Sequence, residues 1–232
     1  GLLVPGFVDA HVHYPQTRVI GRASGPLLPW LENVVFPEES RFSDCTHAES
    51  VAELFCDQLA EHGTTLPFIY SSVHETACDV LFRTLKRRRQ RGFAGPVLMD
   101  RGCPDALIHP VAEAMDSLER LASDWHGDML QLAVIPRFAL SCSPAMLREA
   151  GNFARDNKLY VSTHMSENKE ECRLTTELFG VDDYLQVYEE AGLIHERCVL
   201  AHCIHCSESE TKRLKDAGVK VAHCPDSNAF LG

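Results

Sequence analysis

The sequence contains no apolar run near the roughly 20 residues a helix needs to cross a bilayer. Its first residues show no basic, then apolar, then small-residue leader pattern. Positive charge is also scarce: 22 Lys and Arg stand against 33 Asp and Glu, a net charge of -11. A phosphate-backbone partner needs a clustered basic face, so these shortages predict a soluble, cytoplasmic protein with no membrane and no nucleic-acid partner. Internal repeats and low-complexity tracts are missing as well. Apolar side chains are abundant, at 45% of 232 residues, enough for one large core and one domain spanning 1–232.

Ten cysteines suggest a disulfide framework only in short secreted chains that lack a core, so reduced thiols are expected here. Cys203, His205, Cys206, His223 and Cys224 invite a zinc-knuckle reading. No second ligand pair at finger spacing accompanies them, and a buried free Cys behaves as a small apolar side chain.

Runs rich in Val, Ile and Leu alternate with amphipathic stretches, the pattern of parallel strands joined by helices. The expected strands are Leu2–Val12, Thr64–Ser71, Val97–Cys103, Leu130–Phe138, Leu159–His164, Cys198–Ile204 and Val219–Cys224, with apolar runs suited to burial on both faces. A helix is expected from a Thr46/Glu49 capping box to Gly63, another from Pro110 to Trp125, and a third opening at Pro144. Two more are expected over Asp182–Ala191 and from a Ser207/Glu210 box to Gly218. The stretch Pro15–Arg41, with Trp30 and four prolines, reads as irregular chain, and a piece that long is usually a lid or binding loop. The basic run Lys86, Arg87, Arg88, Arg89 and Arg91 reads as a solvated helix face.

His11 and His13 lie two apart at the end of the first strand, so both point to one side. In a barrel that side is the active-site mouth, and His164 and His202 fall at or near later strand ends. Four imidazoles on one rim suit Zn²⁺ and also accept Fe or Co. Glu167, three residues past His164, is placed either to shuttle a proton or to cap the following helix. Arg137 and Phe138 end the fourth strand; they either flank the mouth, where a planar polar heterocycle fits, or divide between a rim salt bridge and the core.

Pro5-Gly6-Phe7-Val8-Asp9-Ala10-His11-Val12-His13, Thr163-His164-Met165-Ser166-Glu167-Asn168, Ala201-His202 and Ala222-His223-Cys224-Pro225-Asp226-Ser227-Asn228 resemble the metal-dependent amidohydrolase superfamily. Gln16, Leu28-Pro29-Trp30-Leu31, Phe36-Pro37 and Pro136-Arg137-Phe138-Ala139-Leu140-Ser141-Cys142-Ser143 narrow the resemblance to its guanine deaminase branch. That resemblance implies a (β/α)8 TIM-like barrel with one zinc, or alternatively Fe²⁺, on His11, His13, His164 and His202. It further implies Glu167 as acid/base, a guanine pocket of Gln16, Trp30, Arg137 and Phe138, and a homodimer. His223 is given a supporting role.

The implied reaction is hydrolytic: activated water attacks C2 of guanine, Glu167 delivers a proton to N3, and ammonia leaves xanthine behind. The family's eighth-strand aspartate and flanking β-sandwich have no counterpart before Gly232, so about seven strands and a partial, poorly active barrel are expected. A hydrolase of another purine, a pyrimidine or a triazine would share the histidines but not Arg137 and Phe138. A non-catalytic metal-binding homologue is the remaining alternative, favoured by the missing aspartate.

Overall fold

The computed structural model describes residues 1–22 and 25–231. Eight strands, β1 (Phe7–His13), β2 (Thr64–Tyr70), β3 (Gly92–Gly95), β4 (Val97–Leu98), β5 (Leu130–Pro136), β6 (Tyr160–Met165), β7 (Cys198–His202) and β8 (Lys220–Ala222), form one sheet. Its order is β1-β2-β3-β5-β6-β7-β8, with β4 also on β5, and every pairing is parallel. Parallel neighbours need crossovers, and helices carry most of the chain between consecutive positions, covering the outer face of the sheet. β3 and β4 are one barrel position interrupted at Pro96, which cannot donate to a ladder. Seven barrel positions therefore result, as the apolar runs predicted, and among the described residues no ladder joins β1 to β8.

Several expected boundaries move. Leu2 and Leu3 are 95% and 102% exposed, so β1 starts only at Phe7, where its backbone meets the chain around Gly63. The third position begins at Gly92 and ends at Leu98, because Asp100 and Arg101 turn their N–H groups to the Ser141 carbonyl. The helix Cys45–Glu61 starts one residue before Thr46: Asp44 is its cap, accepting from the Thr46 N–H at 2.8 Å, and the expected Thr46/Glu49 box does not form. The Ser207/Glu210 box does form, on Glu208–Asp216, as do helices Val111–Trp125, Pro144–Asp156 and Tyr184–Glu190.

The stretch expected to be irregular is mostly helical turns: Tyr14–Val19, Leu27–Trp30, Leu31–Val35, Phe36–Ser40 and Arg41–Ser43. Pro15 and Pro37 sit in first turns, where a missing N–H costs nothing, which is why proline density misled. Ala23 and Ser24 of that stretch lie outside the described residues. The basic run closes helix Glu75–Arg87 and turns off it, with Arg89 left-handed at φ 55°. Arg87 and Arg88 pair with Glu53 and Asp57 on the neighbouring helix. No helix among the described residues is long and apolar enough to cross a membrane.

Close packing at the interruption depends on Gly95, where a Cβ would lie 2.0 Å from the Ala133 carbonyl oxygen. We expect Gly95→Ala in the full-length protein to lose about 1–3 kcal/mol, read as a lower urea midpoint at constant slope. An unchanged midpoint would mean that β3 and β5 can move apart freely.

Candidate metal centre and purine pocket

β1 ends in His11 and His13, β6 carries His164 and β7 ends in His202, so parallel strands deliver all four rings to one end of the sheet. Tyr70 of β2 forms the floor beneath them, its ring centroid 4.6 Å from those of His11 and His13 and its hydroxyl 2.8 Å from Ser162 Oγ. One nitrogen each from His11, His13 and His164 lies within 4.8 Å of the other two. The His202 ring stands beside this trio, its centroid 5.3 Å from that of His11 and 5.5 Å from that of His164. His11 also forms a second group with His202 and Cys224, a donor not singled out from sequence as a site residue.

Hydrogen bonding fixes which nitrogens are bare. His164 Nδ1 lies 2.6 Å from the Arg137 carbonyl and must donate to it, which leaves Nε2 as a lone pair. His202 Nδ1 faces Asn228 Oδ1 at 2.9 Å, and Glu167 Oε1 is 3.4 Å away. His13 Nε2 and His164 Nε2 are 3.0 Å apart, close to the about 3.3 Å expected of two nitrogens on one tetrahedral ion at about 2.0–2.1 Å. The Nδ1 atoms of His11 and His13 are buried without a partner among the described residues. Desolvation, then the charges of neighbouring imidazoles and Arg137, holds His11, His13 and His164 well below the usual histidine range. Neutral imidazoles with free nitrogens are the form that binds a divalent ion, so the donor set fits one.

Glu167 does not cap the helix Lys169–Phe179. Asn168 does, in a reciprocal box with Glu171, which removes the capping role the sequence left open. Glu171 is fully buried; its Oε2 accepts from the Glu167 and Asn168 N–H groups at 2.9 and 3.1 Å, and its Oε1 from Tyr184 Oη at 2.7 Å. Tyr188 Oη in turn donates to the His164 carbonyl at 2.7 Å. Burial first, and then the charge of Glu171, pushes Glu167 up to about 8, with a hydrogen bond from Ser227 acting the other way. The strand ends carry left-handed backbone at non-glycine residues, φ 51° at Ser166, 72° at His202 and 52° at Cys203. Such conformations persist where surrounding contacts enforce them, here Cys203 N–H on the Met165 carbonyl and two N–H groups on that of Ser166.

A pocket opens over the histidines, and all nine residues singled out from the sequence line it: His11, His13, Gln16, Trp30, Arg137, Phe138, His164, Glu167 and His202. Leu27, Leu31 and Ser227 complete the wall. Arg137 is only 2% exposed and donates from Nη1 to Glu39 Oε2 at 2.5 Å, so its ion pair is buried, not on the rim. Phe138 serves both open alternatives, lining the cavity while packing into the core at 5% exposure. Trp30 spends its indole N–H on the Arg22 carbonyl at 2.9 Å, leaving its ring for apolar contact. Sequence reading missed Glu39, Glu171, Ser227 and Asn228 as site residues. Ser227 and Asn228 had a signal because they belong to the quoted Ala222–Asn228 segment, and Glu171 had the capping-box spacing from Asn168; Glu39 had none.

The amidohydrolase family model matches residues 2–232. Guanine deaminase from Escherichia coli is 38% identical over 234 residues, covering 100% of this chain and 53% of that protein. The solved E. coli enzyme superposes with a TM-score of 0.95 over 98% of this chain and 54% of that one. A guanine deaminase from C. acetobutylicum, solved with guanine in its active site, gives 0.96 at 31% identity, covering 99% of this chain and 56% of that one. The chain spans about half the length of the curated relatives it matches. Atrazine chlorohydrolase from Arthrobacter aurescens, 20% identical with a TM-score of 0.88 over 98% of this chain and 55% of that one, shares the fold.

Glu171→Ala leaves a buried and a half-buried N–H donor and a buried tyrosine hydroxyl without an acceptor. We expect a loss of about 2–4 kcal/mol, seen as a lower urea midpoint in the full-length protein. A variant as stable as the parent would show that water replaces the carboxylate at no cost.

Proposed function

The chain belongs to the amidohydrolase family, and on that premise we propose that the full-length protein deaminates guanine hydrolytically, giving xanthine and ammonia. The observation that carries this reading is one cavity lined at once by the four histidines, Glu167 and the Gln16, Trp30, Arg137 and Phe138 set. Support also comes from relatives named guanine deaminase at 32–39% identity.

The metal, proposed as a single zinc with Fe²⁺ as the alternative, would be held by His11, His13 and His164 with His202 as the fourth imidazole of the set. A bound divalent ion supplies a water acidic enough to ionise near neutral pH, with a pKa of about 7 for zinc. The protein does the remaining work. Its five guanidinium N–H groups less the one given to Glu39 let Arg137 donate to the acceptors of a purine edge, and the Gln16 amide meets a second polar edge. Phe138 and Trp30 cover the ring faces and keep bulk water away. Glu167, beside His202 and Ser227, takes the proton that water releases and passes it to N3 as the C2–oxygen bond forms. A second proton, lost by the new C2 hydroxyl, passes to the exocyclic nitrogen; the C2–N bond breaks, C2=O forms and ammonia departs. Bases lacking the matching polar atoms leave Arg137 or Gln16 unpaired, which is the basis of selection.

The chain's own features favour guanine over a triazine or pyrimidine because Arg137 and Phe138 both face the cavity. Homodimerisation is proposed from the family resemblance alone, and a cytoplasmic setting is proposed for a chain in which no described helix is long and apolar enough to cross a membrane. We expect full-length protein to release ammonia from guanine, and Glu167→Gln to lower kcat by about 10²–10⁴ with metal content unchanged. Turnover of another substrate in a purine, pyrimidine and triazine panel, with none of guanine, would overturn the substrate assignment. A chelator should abolish turnover and added zinc restore it; activity persisting in protein shown to be metal-free would overturn the metal role.

A further inference from the structure

Arg137 is the one lysine or arginine among the residues lining the cavity. A lone guanidinium there would draw anions, yet it is answered inside the protein by Glu39, which is 0% exposed and absent from the cavity wall. The contact is one-sided: Glu39 Oε2 takes the 2.5 Å bond, while Oε1 is buried without a partner among the described residues. Phe36, one turn before Glu39, backs the guanidinium with its ring centroid 5.3 Å from Arg137 Cζ. Single-point pairing fixes one N–H and leaves the others free for a ligand, whereas a two-point fork would consume two.

We infer that Glu39 is a positioning and specificity-determining residue: it aims the free N–H groups of Arg137 at the ligand and cancels their charge, so the pocket takes neutral purines and discriminates against purine monoanions. This inference rests on the guanine reading for the ligand class but not for the chemistry. Charge cancellation matters because a purine monoanion offers the same ring face and similar acceptors as a neutral base. Shape alone separates them poorly, and an uncompensated guanidinium added to the charge of a bound divalent ion would draw the anion further, which the Glu39 carboxylate prevents.

The test uses zinc-loaded full-length protein and calorimetric dissociation constants for urate, a monoanion at neutral pH, and hypoxanthine, a neutral purine. Glu39→Gln keeps the side-chain shape and an oxygen for Arg137 but removes the charge. The expected result is a shift in the urate-to-hypoxanthine affinity ratio of about tenfold or more toward urate, together with a rise in KM for guanine larger than the fall in kcat. A folded Glu39→Gln protein whose ratio stays within about twofold of the parent would overturn the inference, since a merely structural role changes both affinities together.

Should Glu39→Gln fail to fold, the double variant Glu39→Gln, Arg137→Gln restores a net charge of zero. Its ratio is expected to match the parent within about threefold although both ligands bind more weakly; a larger displacement in either direction would contradict charge control. The binding ratio is independent of turnover. Failure of the parent to deaminate guanine, with the ratio shifting as expected, would remove the proposed activity and leave the role of Glu39 intact.

Discussion

Buried imidazoles cannot all be protonated together. His11, His13 and His164 bring their nitrogens within 4.8 Å of one another, in a site where desolvation and mutual repulsion hold each neutral. His13 Nε2 and His164 Nε2 lie 3.0 Å apart, so without an ion one neutral ring donates to the other, and a bound ion takes the place of that shared proton. Tyr70 closes the floor, the Arg137 carbonyl fixes the His164 tautomer, and Asn228 holds His202. The Arg137 carbonyl and Asn228 contacts each occupy Nδ1 and leave Nε2 of their ring with its lone pair.

The parallel sheet makes that convergence possible, because the crossovers return each strand in the same direction and deliver its end to one face. Rigidity then comes from polar groups behind the rim. Glu171 gathers two N–H groups and a tyrosine hydroxyl, so the turn carrying Glu167 is tied to helices packed on the outside of the sheet. Glu39 does the equivalent for Arg137 across the cavity. Two buried carboxylates thus support the two ionisable side chains Glu167 and Arg137 that line the cavity, and neither supporting group is part of its wall.

The histidines, Glu167 and the Arg137–Phe138 pair were legible because motif and strand-end position coincide there. Period-two spacing put His11 and His13 on one face, and an apolar run placed the end of each strand within a few residues. Glu39 was not legible for the opposite reason: its partner Arg137 lies 98 residues away, so only tertiary contact reveals it. Glu171 stands three residues after Asn168, a capping-box spacing, but its bond to Tyr184 shows only in the fold. Local rules also failed where two signals competed. Asp44 outranked Thr46 as a cap, and prolines in the Pro15–Arg41 stretch marked helical first turns where they suggested irregular chain. Pro96 split a barrel position that the hydrophobic pattern, starting at Val97, had seen only in its second half.

The central claim is a metal ion held by imidazole nitrogen, yet Cys224 stands in a second group with His11 and His202. X-ray absorption at the metal edge of the loaded full-length protein separates the two directly. The account predicts at least three imidazole nitrogens at about 2.0–2.1 Å and no sulfur. A sulfur scatterer at about 2.3 Å, or fewer than three imidazoles, would contradict it.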